Sequence, residues 1–99
     1  MNRPKFTPGP WHVKNLDKPY VMQENGIALA QIWDCSVISR EQADANANLI
    51  AAAPEMYELL SEILEFEPRG INLNFFDRIN PKIDAVLRKA RGESEVSDV

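Results

Sequence analysis

The residues of this chain that could take part in chemistry are few and scattered. His12 is the only histidine and Cys35 the only cysteine. A metal site of ordinary protein type needs three or four converging His, Cys or carboxylate ligands, so no metal is expected. His12 follows Trp11 on a short predicted strand and reads as a surface or rim residue. A Cys–His nucleophile requires contact between the two side chains, which nothing in the spacing supplies. Cys35 reads instead as a small apolar packing residue. Ser36 and Ser39 sit in no nucleophile-elbow context. The four glycines, at 9, 26, 70 and 92, are dispersed at predicted turns, so there is no glycine-rich phosphate loop. No spacing assembles a nucleophile, a base and an oxyanion donor. The chain is therefore expected not to be an enzyme and to carry no cofactor.

What remains are residues suited to binding. Glu55, Glu58, Glu62 and Glu65 recur at helical spacing, three and four apart. An acid–base pair would need one member in an apolar pocket, whereas a row of acids reads as a solvated helix face. Its functional alternative is a strip, centred on Glu58 and Glu62, that docks on a basic host protein. Asn46 is a poor helix-interior residue because its amide competes for backbone hydrogen bonds. It is expected near the buried side of its helix, either tying that helix to the sheet or lining a polar pocket, with Asn48 exposed. Trp11 and Trp33 are expected to face the helices as core. On the open sheet face, either would serve as a stacking platform or interface anchor. Phe75 and Phe76 beside asparagines suggest a partner or dimer contact. Arg40 near a helix start suits phosphate, and a pocket of Trp11, Trp33, Arg40 and Asn46 would fit a nucleotide.

These residues must be positioned by a small α+β fold. Residues 1–10 carry three prolines and one glycine and read as an extended arm. Residues 11–14 alternate apolar and polar, as in a half-buried strand. A second strand covers residues 20–23. Asn25-Gly26 signals a type I′ hairpin turn. The returning strand is Ile27–Trp33, with Ile27, Leu29, Gln31 and Trp33 on one face and Ala28, Ala30 and Ile32 on the other. Ser39 and Gln42 fit a capping box. The helix they open should run to about Ala53, where Pro54 forces a break and begins a second helix. That helix carries Met56, Tyr57, Leu60, Ile63 and Leu64 on one stripe. Residues 72–76 are ambiguous between loop and short helical turn. Asn80-Pro81 reads as the start of a last helix, closed by Gly92 as its C′ residue. Residues 93–99 read as a frayed acidic tail. The expected architecture is a three-stranded antiparallel meander packed against two or three helices, in one domain spanning 1–99.

Composition narrows the function classes. The 44% hydrophobic and 26% charged content is that of a globular domain. A net charge of −4 argues against a nucleic-acid binder held by phosphate neutralisation. The basic run Arg88-Lys89-Ala90-Arg91 reads as a complement to a helix dipole, with a contact for an acidic partner as the alternative. A lone cysteine gives no intrachain disulfide and no sign of an oxidising compartment. No stretch approaches a membrane span, and the N-terminus leads into no apolar run that would make a signal peptide. A cytoplasmic location and no membrane partner are expected. A core this small makes a homodimer attractive, because association adds burial.

Four segments occur in a telling order: Thr7-Pro8-Gly9-Pro10-Trp11, Asn25-Gly26-Ile27-Ala28, Ala45 to Leu60 with its Leu49-Ile50-Ala51-Ala52-Ala53-Pro54-Glu55 run, and Ile83 to Gly92. Together they resemble a widespread group of small tailed-phage and prophage proteins, most without an assigned activity. The resemblance spans about residues 6–92 and is loosest from Pro68 to Pro81. It implies a cytoplasmic phage accessory protein and supplies no catalytic residues. Small phage proteins of this kind often act on host machinery or host immunity, an inference from genomic type. The leading expectation is thus a non-enzymatic binder that interferes with a host protein, most simply a defence component. One alternative is an oligomeric binder that sequesters a small nucleotide signal; another is a structural subunit of a phage complex.

Overall fold

The computed structural model describes residues 4–66 and 73–93. Its element order is β1 (Trp11–Asn15), β2 (Pro19–Gln23), β3 (Ala28–Gln31), α1 (Arg40–Ala51), α2 (Ala53–Phe66) and α3 (Leu73–Ala90). The strands form one antiparallel sheet in the order β1-β2-β3. This is the expected α+β meander with three helices. The acidic tail and the segment 67–72 lie outside the described residues, apart from Glu93.

The sheet is built for one covered face. Val13 pairs with Val21, and Val21 with Ala30. Val21 is fully buried beneath α1, and Trp11, Val13, Leu29, Ala30 and Ile32 pack around it. α1 presents Ala43, Ala47 and Ala51, spaced four apart, as its buried stripe. Methyl-sized side chains let the helix backbone lie close to β1 and β2, so the contact gains dispersion energy from short distances rather than from bulk. α3 covers the other side of α1 and also packs along α2, with Phe75 and Ile79 buried.

Local signals decide the element ends. Ser39 caps α1 through a complete capping box: its Oγ accepts from Gln42 N–H at 3.1 Å, and Gln42 Oε1 accepts from Ser39 N–H at 3.2 Å. α1 and α2 are separated by Ala52 alone. Pro54, with no N–H, occupies the second position of α2, where the helix asks for no donor. α3 closes in a Schellman arrangement: Gly92 has φ of 81°, its N–H donates to Lys89 O, and Glu93 N–H donates to Arg88 O at 2.8 Å.

Several expectations are corrected. The β2–β3 connection is not a type I′ turn. Asn25 keeps a negative φ and only Gly26, at 91°, is left-handed. Gln23 N–H donates to Ile27 O and Gly26 N–H to Gln23 O, enclosing a three-residue loop. The Asn25 side chain accepts from Ile27 N–H at 3.0 Å, so its amide works as a local acceptor. A register shift between Val21 and Met22 leaves Leu29 as an extra residue in β3. This places Leu29 as well as Ala30 against the core, and the strand ends at Gln31, opposite the start of β2, ahead of Trp33. The last helix begins at Leu73, not Asn80, and Pro81 lies inside it. Proline there removes one ladder hydrogen bond, offset by burial of Phe75 and Ile79 one turn apart on the preceding segment.

The closeness of α1 to the sheet predicts low tolerance at its centre. Ala47→Leu should destabilise the protein by about 1–3 kcal/mol through overpacking against Val21. Urea unfolding would show it as a lowered midpoint with an unchanged slope.

Candidate interaction surface

Three features of the molecule's exterior contain the residues singled out from the sequence. The first is the end of the sheet where β1 turns into β2. Lys18 Nζ pairs with Asp17 Oδ2 at 3.0 Å and lies 4.3 Å from the centroid of the Trp33 ring. Tyr20 donates its hydroxyl to Asp17 Oδ1, and Arg40 Nη1 donates to the Asp17 carbonyl at 3.1 Å. Arg40 Nε meets Asp44 Oδ1 at 3.0 Å. The hydrogen bond from the Lys18 ammonium holds the Asp17 carboxyl below its ordinary range. Trp33 is therefore not core: it is 64% exposed, with Lys18 over its ring.

The second feature is the arm. Trp11 is half-buried, and its indole N–H points at the carbonyls of Thr7 and Pro8, each at 3.2 Å. The chain bends back through a cis Gly9–Pro10 bond. Gly9 lies so close to Pro54 that a Cβ at Gly9 would stand 2.6 Å from the proline Cβ. Phe6 then meets the Tyr57 ring edge-on at 5.0 Å. Thus the Thr7–Trp11 segment and the Pro54 turn, more than forty residues away, are one contact. An open cleft of about 230 Å³ lies between the arm and the β2–β3 loop, lined by Pro8, Gly9, Pro10, Gln23, Glu24 and Asn25.

The third feature is α2. Its side toward α3 is polar: Glu62 pairs with Lys82 at 2.7 Å and Glu55 with Lys89 at 3.0 Å. These pairs are seven residues apart on both helices, as antiparallel neighbours require. Leu59, Met56 and Ile63 are half-buried beside them. The remainder of the apolar arc is uncovered. Leu60 is 67% and Leu64 66% exposed, and Tyr57 is exposed on the same side. The apolar stripe is thus only half covered, with the lysine pairs to α3 at its edge. Glu58 and Glu65 flank the uncovered part and are exposed, with no ion pair among the described residues.

The residues proposed from the sequence do not converge. Trp11 pairs with Gln23 at one end of the sheet, whereas Trp33 lies by Lys18 at the other. Trp33 and Arg40 do share the Asp17 end. Asn46 is exposed, and Asn48 is the half-buried amide, reversing the expectation. The buried stripe follows Ala43, Ala47 and Ala51, and this turns Asn48 toward α3. There, a Cβ on Gly92 would lie 2.5 Å from Asn48 Nδ2. Glu58 has no ion pair among the described residues, but Glu62 is bound to Lys82. Phe75 is buried and packs edge-on with the exposed Phe76 at 5.2 Å. Cys35 is exposed in the loop before α1, not a packing residue. Arg40 is engaged through Nε by Asp44 and through Nη1 by the Asp17 carbonyl. Leu60 and Leu64, placed by the sequence only on an apolar stripe, are exposed candidates for a binding surface that the sequence did not single out. Their exposure depends on where α3 lands, which helical periodicity does not encode.

The model of the family described as Salmonella phage P22 protein Y8K6 matches residues 1–94. The chain belongs to this phage protein family. No curated protein and no solved structure matches it. Among the described residues there is no cluster of three or more His, Cys, Asp or Glu able to hold a metal, and no helix long and apolar enough to cross a membrane.

The two tryptophans should separate cleanly on substitution. Trp11→Ala should cost about 3 kcal/mol, the range for losing a packed aromatic. Trp33→Ala should cost less than about 1 kcal/mol, the scale of an exposed cation–π contact. Gly9→Val should lift the arm from Pro54 while leaving the sheet intact. Amide NMR would report it as shifts confined to the Trp11 indole, Pro54's neighbours and Tyr57.

Proposed function

We propose that this phage protein is a non-enzymatic accessory factor that binds and interferes with a host protein, in the manner of an anti-defence inhibitor, and that the outward face of α2 makes the contact. The observation that carries the reading is the exposure of Tyr57, Leu60 and Leu64 on one side of a complete helix, facing away from α3. Large aliphatic side chains left in water along one helix face forgo burial worth about 1.5–3 kcal/mol each. Contiguous exposed apolar patches of this kind mark interaction sites. The spacing of three and seven residues from Tyr57 is that of helix-face recognition. Phe6, seated on Tyr57, extends the patch with a fourth apolar side chain. The cytoplasm of the infected cell is the proposed setting.

A tagged pull-down from host lysate with quantitative mass spectrometry tests this, comparing wild type with Leu60→Asp/Leu64→Asp. Both leucines are about two-thirds exposed, so the variant should keep its helical circular dichroism. One host protein should be enriched with wild type and lost with the variant. Enrichment that survives the variant would remove α2 from the reading, and no enriched host protein would sink the reading itself.

A further inference from the structure

The chemistry of the partner can be inferred from how the acids of α2 are distributed. This step rests on the proposed role of α2 as the binding face. α2 carries Glu55, Glu58, Glu62 and Glu65 and no Lys or Arg. α3 answers two of them, Glu55 through Lys89 and Glu62 through Lys82. The other two, Glu58 and Glu65, are seven residues apart, lie beyond Tyr57 on the side of the Tyr57–Leu60–Leu64 ridge away from Leu60, and are exposed without a counter-charge among the described residues. We infer that the ridge receives an amphipathic helix whose apolar side is bordered by Lys or Arg, which repeats from outside the arrangement that α3 makes from within.

Charge selects this occupant over a second copy of the chain. A two-fold pairing of the outward faces of α2 would set Glu58 and Glu65 of one chain against the same two of the other, with no lysine or arginine of either α2 between them. Like charges facing one another oppose such a contact. A basic amphipathic helix meets the opposite condition. Its apolar side covers Leu60 and Leu64, and its cations reach Glu58 and Glu65. The net charge of −4 on the whole chain also draws it in during diffusional encounter. α3 shows that such packing is compatible with α2, since its lysines seven residues apart already meet glutamates seven residues apart. The apolar centre would supply most of the affinity and the flanking pairs the choice of partner.

The test uses the whole chain and two synthetic probes: an 18-residue amphipathic helix of Leu and Lys, and its counterpart of Leu and Glu. Binding is read by fluorescence anisotropy of the labelled peptide at 0.15 M salt. The Leu/Lys peptide should bind and the Leu/Glu peptide should not. Leu60→Asp should weaken the Leu/Lys complex about tenfold or more, the loss expected of an anchor residue, even though it adds a negative charge. Glu58→Lys/Glu65→Lys should reverse the preference between the peptides. Failure of the Leu/Lys peptide to bind would overturn the inference, as would binding that Leu60→Asp leaves unchanged, which would be attraction of a cation to an acidic protein alone. Failure here with retained, leucine-dependent capture of a host protein would leave the proposed function standing and refute only the basic helix. Loss of capture would refute the function first.

Discussion

Everything else in this molecule depends on the close approach of α1 to the sheet. Val21 lies beneath Ala47 and Ala51, and these contacts contain almost the whole of the fully buried interior of the sheet half. A core made largely of methyl groups gains little area per residue, so it must gain by proximity. That constraint explains the rest of the layout. With α1 spent on the sheet, α3 has to cover its other side, and α2 is left to lean on α3 and the end of α1. The large apolar residues of the chain are consequently displaced outward, to Leu60, Leu64, Trp33 and Phe76.

The arm has a comparable logic on a smaller scale. Its turn is fixed from within, by the Trp11 indole held against the Thr7 and Pro8 carbonyls. It is fixed from outside by the fit of Gly9 on Pro54. Only a residue without a Cβ permits that second contact. Asn48 against Gly92 is an analogous fit at the far end of α3. In both cases a glycine permits a close approach to the α1–α2 helical run, so the Thr7–Trp11 segment and the end of α3 are fastened to the middle of the fold.

Much of this was legible in the sequence. The capping box of Ser39 and Gln42, the break at Pro54 and the closing Gly92 are local, and each appears where its side chain requires it. The meander was readable because strand alternation and turn residues agree over short spans. The failures share a cause. Asn25 chose a side-chain hydrogen bond over a left-handed backbone. Trp33 fell past the end of a strand that stops at Gln31, opposite the start of β2. Pro81 was carried inside a helix by the burial of Phe75 and Ile79. Asn46 and Asn48 exchanged roles because the helix rotates to bury alanines, not the most apolar sum. Each outcome was decided by a specific contact, as near as Ile27 N–H for Asn25 and as far as another element for α1, that the pattern of residue types does not encode. The same holds for the interaction surface: periodicity identified the apolar stripe of α2, and only the landing point of α3 reveals which half is uncovered.

The single residue between α1 and α2 has a mechanical consequence. With Ala52 alone as the joint, α2 is a cantilever clamped at its base, where Ala51, Ala52 and Pro54 are buried, and braced along its length by Lys89–Glu55 and Lys82–Glu62. The clamp is made of packed carbon and responds little to the medium. The braces are half-exposed ion pairs, whose strength falls as salt screens them. The two supports of the beam therefore differ in kind: salt weakens the braces and leaves the foundation as it is.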